Sequence, residues 1–379
     1  MAERNIQSRC LDFMRFPLAV FVVTVHVFNN NKVIAGGHTF NPANISVFGD
    51  VMLFIESFIR GVSVPVFFFI SGYVFFYGID DFTKQRYIKK LHNRIKTLLI
   101  PYLIWNFMEI IVGLIKCFYG GSGFATYKTT LNLTLENLLS SFWAYNGYLF
   151  ISVPNNTTEA ATFLNSDPIN TPLWFVRDLM IVALLSPVLY YLICRAKFYF
   201  VLVLAAIWLF PNLRFGSYGF SEAFLFFTLG AYLCINKRDI LFQQKTLKLL
   251  SILVYPVSSI LYFFAVKNGY HEWTFGLKTT SILGFLFFAY NLSKWLLEHG
   301  VKHSTFLSSA CFFIYISHVL ITQRVTKLMY MILRPSSDYS YVLVYILSVG
   351  VTVGSLLILY ELMKKYIPSV LTFVTGRRL

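Results

Sequence analysis

The chain predicts an all-α fold, a polytopic membrane helix bundle of about ten transmembrane helices with both termini cytoplasmic. Three observations predict it. Of the 379 residues, 57% are hydrophobic and only 13% charged, with a mean hydropathy of +0.63, whereas a soluble domain carries about 25% charged residues. Apolar runs near the ~20 residues that cross a bilayer recur from end to end. The basic residues gather in every second connection between those runs, which is the charge asymmetry of cytoplasmic loops.

The expected spans lie near 12–30, 48–78, 97–117, 172–194, 198–213, 219–235, 247–267, 274–297, 305–332 and 340–367. The first has no small-residue cleavage site after it, so it is expected to stay as an anchor. The second is long enough to tilt or to break around Gly61 to Pro65. The fifth is short and ends at Phe210-Pro211, which leaves a tilted or an incompletely spanning helix open, and the count of ten leaves eleven open. Arg4 and Arg9 precede the first span, and the basic loop Lys84 to Lys96 falls on the same side. Arg195 and Lys197, then Lys237, Arg238, Lys245 and Lys248, then Lys294 and Lys302, and finally the basic tail, continue that side. The opposite side holds isolated cations such as Lys32 and Arg334. One membrane domain over residues 1–379 is expected, with a long extracytoplasmic loop at about 118–171. That loop carries Asn132, Asn155 and Asn156 in weak glycosylation-acceptor triplets.

A net charge of +15 does not indicate nucleic acid, because the cations flank spans and form no surface stripe. Cys10, Cys117, Cys194, Cys234 and Cys311 are scattered, without the spacing of a redox or zinc motif. The histidines lack chelating neighbours, so neither a metal nor a tightly bound cofactor is expected.

Arg15 and His26 are the residues with most chemical content. Eleven helical steps make about three turns, so both fall on one face, about 16 Å apart along the axis. Ionisable groups inside a membrane helix face the protein or a water-filled path. On the residues alone, His26 reads equally as a general base or as an interior histidine hydrogen-bonded across helices. Arg15 could hold an anionic ligand, or snorkel beside Asp12 at the i,i+3 spacing. Glu56 and Arg60, at i,i+4, suit an intrahelical ion pair, with a site-lining role open beside Ser71. Arg177 and Asp178, following Trp174, fit either an acceptor entrance or helix packing. Glu222 and His318 are lone ionisable groups in apolar runs, and Phe67 to Phe69 read as packing.

Several segments, taken in order, resemble the membrane-bound acyltransferase 3 family. Leu11-Asp12-Phe13-Met14-Arg15 through His26 resembles its opening, and Ser63-Val64-Pro65-Val66-Phe67-Phe68-Phe69-Ile70-Ser71-Gly72-Tyr73 its second-helix motif. Arg94 to Tyr102, with Pro101, resembles the basic stretch that opens its third helix. Pro172-Leu173-Trp174-Phe175 and Ile314-Tyr315-Ile316-Ser317-His318 resemble its Leu-Trp-Phe and Tyr-x-x-His elements. Where the family often has two arginines three apart, Arg94 is followed here by Thr97. Lys90 and Lys96 supply charge there without arginine's planar fork.

The resemblance implies an O-acyltransferase of the cell (inner or plasma) membrane of a bacterium. It would move an acyl group, commonly acetyl, from acyl-CoA to a hydroxyl of an envelope polysaccharide or its lipid-linked precursor. His26 would be the base; Arg15 with Arg94, Lys90 and Lys96 would meet the donor. Glu56, Arg60, Ser71, Trp174, Arg177, Asp178 and His318 would line the site. The partners expected are membrane lipid, acetyl-CoA and a glycan acceptor. The rival class is a glycan transporter or flippase using Arg15, His26, Glu56 and Arg60 as a polar path. Such proteins often carry internal repeats, and none is visible here.

Overall fold

A computed structural model describes residues 2–27, 33–42, 45–79, 81–119, 127–145, 148–154, 167–213, 218–240 and 245–376. Asn155 and Asn156 lie outside the described residues. The helix α1 (Ala2–Val27) is followed by a short antiparallel hairpin, β1 (Val33–Ala35) and β2 (His38–Phe40), which pairs Val33 with Phe40. Next come α2 (Ser46–Ile59), α3 (Ser63–Phe76), α4 (Lys84–Arg94) and α5 (Ile100–Tyr119). A second hairpin, β3 (Tyr127–Leu131) with β4 (Phe150–Pro154), encloses α6 (Leu135–Ser141). The remaining helices are α7 (Trp174–Leu184), α8 (Ser186–Ala196), α9 (Phe198–Leu209), α10 (Tyr218–Ile235), α11 (Lys245–Lys267), α12 (His271–Glu298), α13 (Thr305–Leu333), α14 (Asp338–Tyr366) and α15 (Pro368–Val374).

Six of the ten expected stretches are long and apolar enough to cross a membrane unaided. They are Ile6–Val27, Ser46–Phe76, Lys84–Phe118, Thr246–Lys267, Thr305–Leu333 and Asp338–Tyr366. The other four are helical but differ for identifiable reasons. The pair α7 and α8 bends by 63° at Leu185, where Pro187, in the first turn of α8, lacks the N–H that would continue α7. The helices α9 and α10 are short. The helix α12 has 28 residues, but Lys278, Thr279, Thr280 and Ser281 interrupt its apolar run.

Two further differences bear on the site. The basic stretch 84–96, expected as a loop, is helical: Lys, Arg and Gln are good helix formers, and the Thr83 hydroxyl accepts from the Arg86 N–H at 3.4 Å. One π-helical turn, Ile95–Leu99, joins it to α5. The second span is broken at Arg60 to Val62. Gly61 takes φ +81° there, and Pro65 falls in the first turn of α3, where no intrahelical N–H is needed.

At the centre, α1 packs against α3, α12, α13 and α14, so its polar residues are kept off lipid. The Tyr345 hydroxyl donates to the Thr24 carbonyl at 3.0 Å, and the Ser308 hydroxyl to the Asp12 carbonyl at 3.2 Å. A close helix crossing joins α3 to α10 through two glycines. A Cβ on Gly72 would stand 2.0 Å from the Phe227 carbonyl oxygen, and one on Gly230 2.1 Å from that of Phe69. Small residues that let backbones touch are the ordinary adhesive of membrane helices.

Candidate active site

The two ends of α1 carry different chemistry. Near its C-terminal end the His26 side chain is exposed, and the space it faces is a cavity of about 440 Å³ within the bundle. The lining brings together His26, Arg60, Gly61, Ser63, Asp167, Trp174, Gly219 and Glu222. Behind His26 stands His318, fully buried, with the ring centroids 5.0 Å apart. His318 Nδ1 is 2.7 Å from the Tyr315 carbonyl oxygen. A carbonyl only accepts, so that nitrogen carries the proton and Nε2 holds a lone pair; Nε2 has no hydrogen-bond partner in the protein.

The break between α2 and α3 forms one wall. Arg60 Nε lies 2.9 Å from Glu56 Oε1. Lys278 Nζ, from α12, donates to the Glu56 and Ser57 carbonyls at 3.0 and 3.2 Å. The Glu56 carbonyl also accepts from the Arg60 N–H at 3.1 Å, whereas Ser57 is one of the last-turn acceptors that a helix leaves open, beside the negative end of the α2 dipole. Trp174 forms another wall. Its ring lies against α10 so closely that a Cβ on Gly219 would come within 2.4 Å of it. Phe68 backs it, with centroids 6.3 Å apart.

At the other end of α1, Arg15 Nη1 is paired with Asp12 Oδ1 at 2.8 Å. Arg94 lies close enough for its charge to be felt by Arg15's. The Arg94 guanidinium and the Lys90 ammonium sit 5.4 and 5.0 Å from the Phe75 ring centre, where the ring face attracts cations. Lys90 Nζ also donates to the Phe75 carbonyl, and Lys96 follows in the π turn. Arg15, Arg94 and Lys90 thus form a cationic group well separated from His26.

The remaining candidates lie elsewhere. Arg177 and Asp178 are buried, with Arg177 Nε 2.9 Å from Asp178 Oδ1, and Arg177 Nη1 donates to the Trp143 carbonyl at 2.5 Å. They clamp the segment after α6 to α7 and are not among the cavity residues. Ser71 lies two turns further along α3, also outside the lining. Glu56 reaches the cavity only through Arg60. Among the described residues no three His, Cys, Asp or Glu side chains stand close enough to hold a metal ion.

Sequence reasoning passed over Lys278, the place of Asp167, and the parts played by Ser63 and Gly219. Lys278 had a signal, a lysine inside an apolar run. Asp167 had none, because it reaches the cavity from a loop distant in sequence from both α1 and α10.

A histidine thus opens into a cavity inside a bundle of membrane-length helices, and a separate cationic group stands at the far end of its helix. The comparisons make the class definite. The chain belongs to the acyltransferase 3 family, whose profile, described as an acyltransferase domain, matches residues 8–361. It is also 25% identical, over 397 aligned positions covering 99% of this chain and 94% of the relative, to the succinoglycan biosynthesis protein ExoH of Rhizobium meliloti (strain 1021). No solved structure matches it. The protein is a multi-pass membrane O-acyltransferase.

Proposed function

We propose that the protein moves an acyl group, acetyl in the first instance, from cytoplasmic acyl-CoA to a hydroxyl of a cell-envelope polysaccharide or its lipid-linked precursor. The observation that carries the reading is His26 opening into the cavity beside Arg60 and Trp174. An O-acyl transfer needs a base for a poorly acidic hydroxyl, and an imidazole with a reference pKa near ~6.5 suits that task. The flat face of Trp174 suits the C–H face of a sugar ring, while Asp167, Glu222 and Arg60 offer partners to its hydroxyls. The relative's part in succinoglycan biosynthesis supports a polysaccharide acceptor.

The donor is assigned to the opposite end. Arg15, Arg94, Lys90 and Lys96 would receive its phosphates, and the positive-inside rule puts that end in the cytoplasm. Arg15 and His26 are about 16 Å apart along α1, a span that an extended pantetheine arm can follow. Donor and acceptor then enter from opposite faces and meet at His26, held in place for reaction.

The test is to incubate purified protein with labelled acetyl-CoA and envelope polysaccharide, measuring coenzyme A release and glycan ester together. Matched release and ester formation support the assignment. Release without ester, or neither, refutes it.

A further inference from the structure

The break between α2 and α3 exposes two helix ends, and the protein treats them differently. The C-terminal end of α2 is capped by Lys278, whose Nζ reaches two of its carbonyls. The N-terminal end of α3 has no side-chain cap, and its first residues, Ser63 and Val64, line the same cavity as His26. First-turn N–H groups have no partner inside their own helix, and the dipole makes that end partly positive. A helix start of this kind favours an anion.

A second observation is independent of the helix end. Ser63 is 4% exposed, and its hydroxyl oxygen has no hydrogen-bond partner in the protein. Leaving a buried hydroxyl unmatched is destabilising, so its place beside the cavity needs a reason. Gly61, at φ +81°, supplies the turn that aims α3 there; a side chain would be strained in that conformation.

We propose that the start of α3, with the Ser63 hydroxyl, is the oxyanion-binding site of the acyl transfer; this rests on the function proposed above. The acceptor hydroxyl gives its proton to His26 while its oxygen bonds to the thioester carbonyl carbon. The carbonyl π pair moves onto oxygen, and the Ser63 and Val64 N–H groups with the Ser63 hydroxyl donate to that negative charge. Collapse restores the carbonyl, breaks the C–S bond, and the leaving thiolate takes the proton from His26. Acyl thioester and alcohol thus become ester and thiol. Donors fixed in advance at such a position act on the transition state far more than on bound substrate.

The experiment uses the full-length protein with acetyl-CoA and a glycan acceptor. Ser63→Ala should lower kcat by about 10²-fold or more, with KM for both substrates within about threefold. Its thermal midpoint should be unchanged or raised, because an unmatched buried hydroxyl has gone. Ser63→Thr, which keeps the hydroxyl, should retain at least about a tenth of wild-type kcat. If wild type transfers acyl groups while Ser63→Ala keeps kcat within about threefold, this inference falls and the function stands. If Ser63→Thr is as impaired as Ser63→Ala, the hydroxyl is not the donor and the inference likewise falls. A wild-type protein that forms no ester with any glycan overturns the function itself.

Discussion

Replacing His26 by alanine separates chemistry from stability with unusual clarity in this structure. Among the described residues His26 makes no hydrogen bond, and its close ring contact is with His318 at 5.0 Å between centroids. Its side chain faces a cavity, so alanine leaves no new unpaired group in packed surroundings. Losing one aromatic contact costs about 0.5–1.5 kcal/mol. Removing a positioned base lowers the rate by about 10²–10⁴, or about 3–5 kcal/mol on the barrier. His26→Ala should therefore insert, express and melt close to wild type, while esterification of the glycan falls at least about 100-fold. The assay is turnover of labelled acetyl-CoA on protein purified in detergent or nanodiscs, paired with a thermal melt of the same sample. A variant with turnover within about threefold of wild type would make His26 a packing residue and move the base to His318 or Glu222. A variant that unfolds would show that the two imidazoles serve the bundle first.

Three further outcomes are expected. Arg15→Lys should raise the KM for acyl-CoA about tenfold, since the second bond of a planar fork is lost. Its half-exposed pair with Asp12 contributes at most about 1 kcal/mol, so an unchanged KM together with a lowered melt would refute donor contact. Trp174→Ala should raise the acceptor KM about 3- to 10-fold at unchanged donor KM. Gly219→Ala should do the same, because its Cβ would displace the Trp174 ring; a shift confined to the donor KM would refute the sugar platform. Gly72→Ala would place a Cβ 2.0 Å from the Phe227 oxygen and should destabilise by about 1–3 kcal/mol or more; an unchanged melt in detergent would show that the crossing is loose.

The sequence made the two ends of α1 legible because helical geometry alone puts Arg15 and His26 on one face, and burial of charge in lipid is costly enough to demand a reason. The break near Gly61 was legible for a similar cause: Gly and Pro65 act on the local backbone. Hydropathy did less well where neighbours decide. It counts apolar residues and ignores direction, so the 63° bend between α7 and α8 was passed over in an apolar run from 172 to 194, although Pro187 marks its place. The basic stretch 84–96 looked like a loop because charge resembles solvent exposure, although its residues favour helix. Lys278 was passed over, because the α2 carbonyls it reaches lie more than 200 positions away in the chain. Asp167 and Glu222 meet His26 solely through tertiary packing, which no local pattern encodes.

The glycine crossing of α3 with α10 has a mechanical consequence. Lys90 and Arg94 rest on Phe75 at one end of α3, while Ser63 borders the cavity at the other. Twelve helical steps of the 14-residue α3 separate them, about 18 Å of helix, packed on α10 by backbone contact at Gly72 and Gly230. Such a strut cannot flex in its middle; it translates or rotates as a whole, taking α10 with it. A ligand phosphate that drew the two cations away from Phe75 would act on the same rigid body that shapes the distant reaction chamber. The other half of the broken span, α2, meets this strut through the turn at Gly61, so a change in the angle of that turn would reshape the cavity from the α2 side.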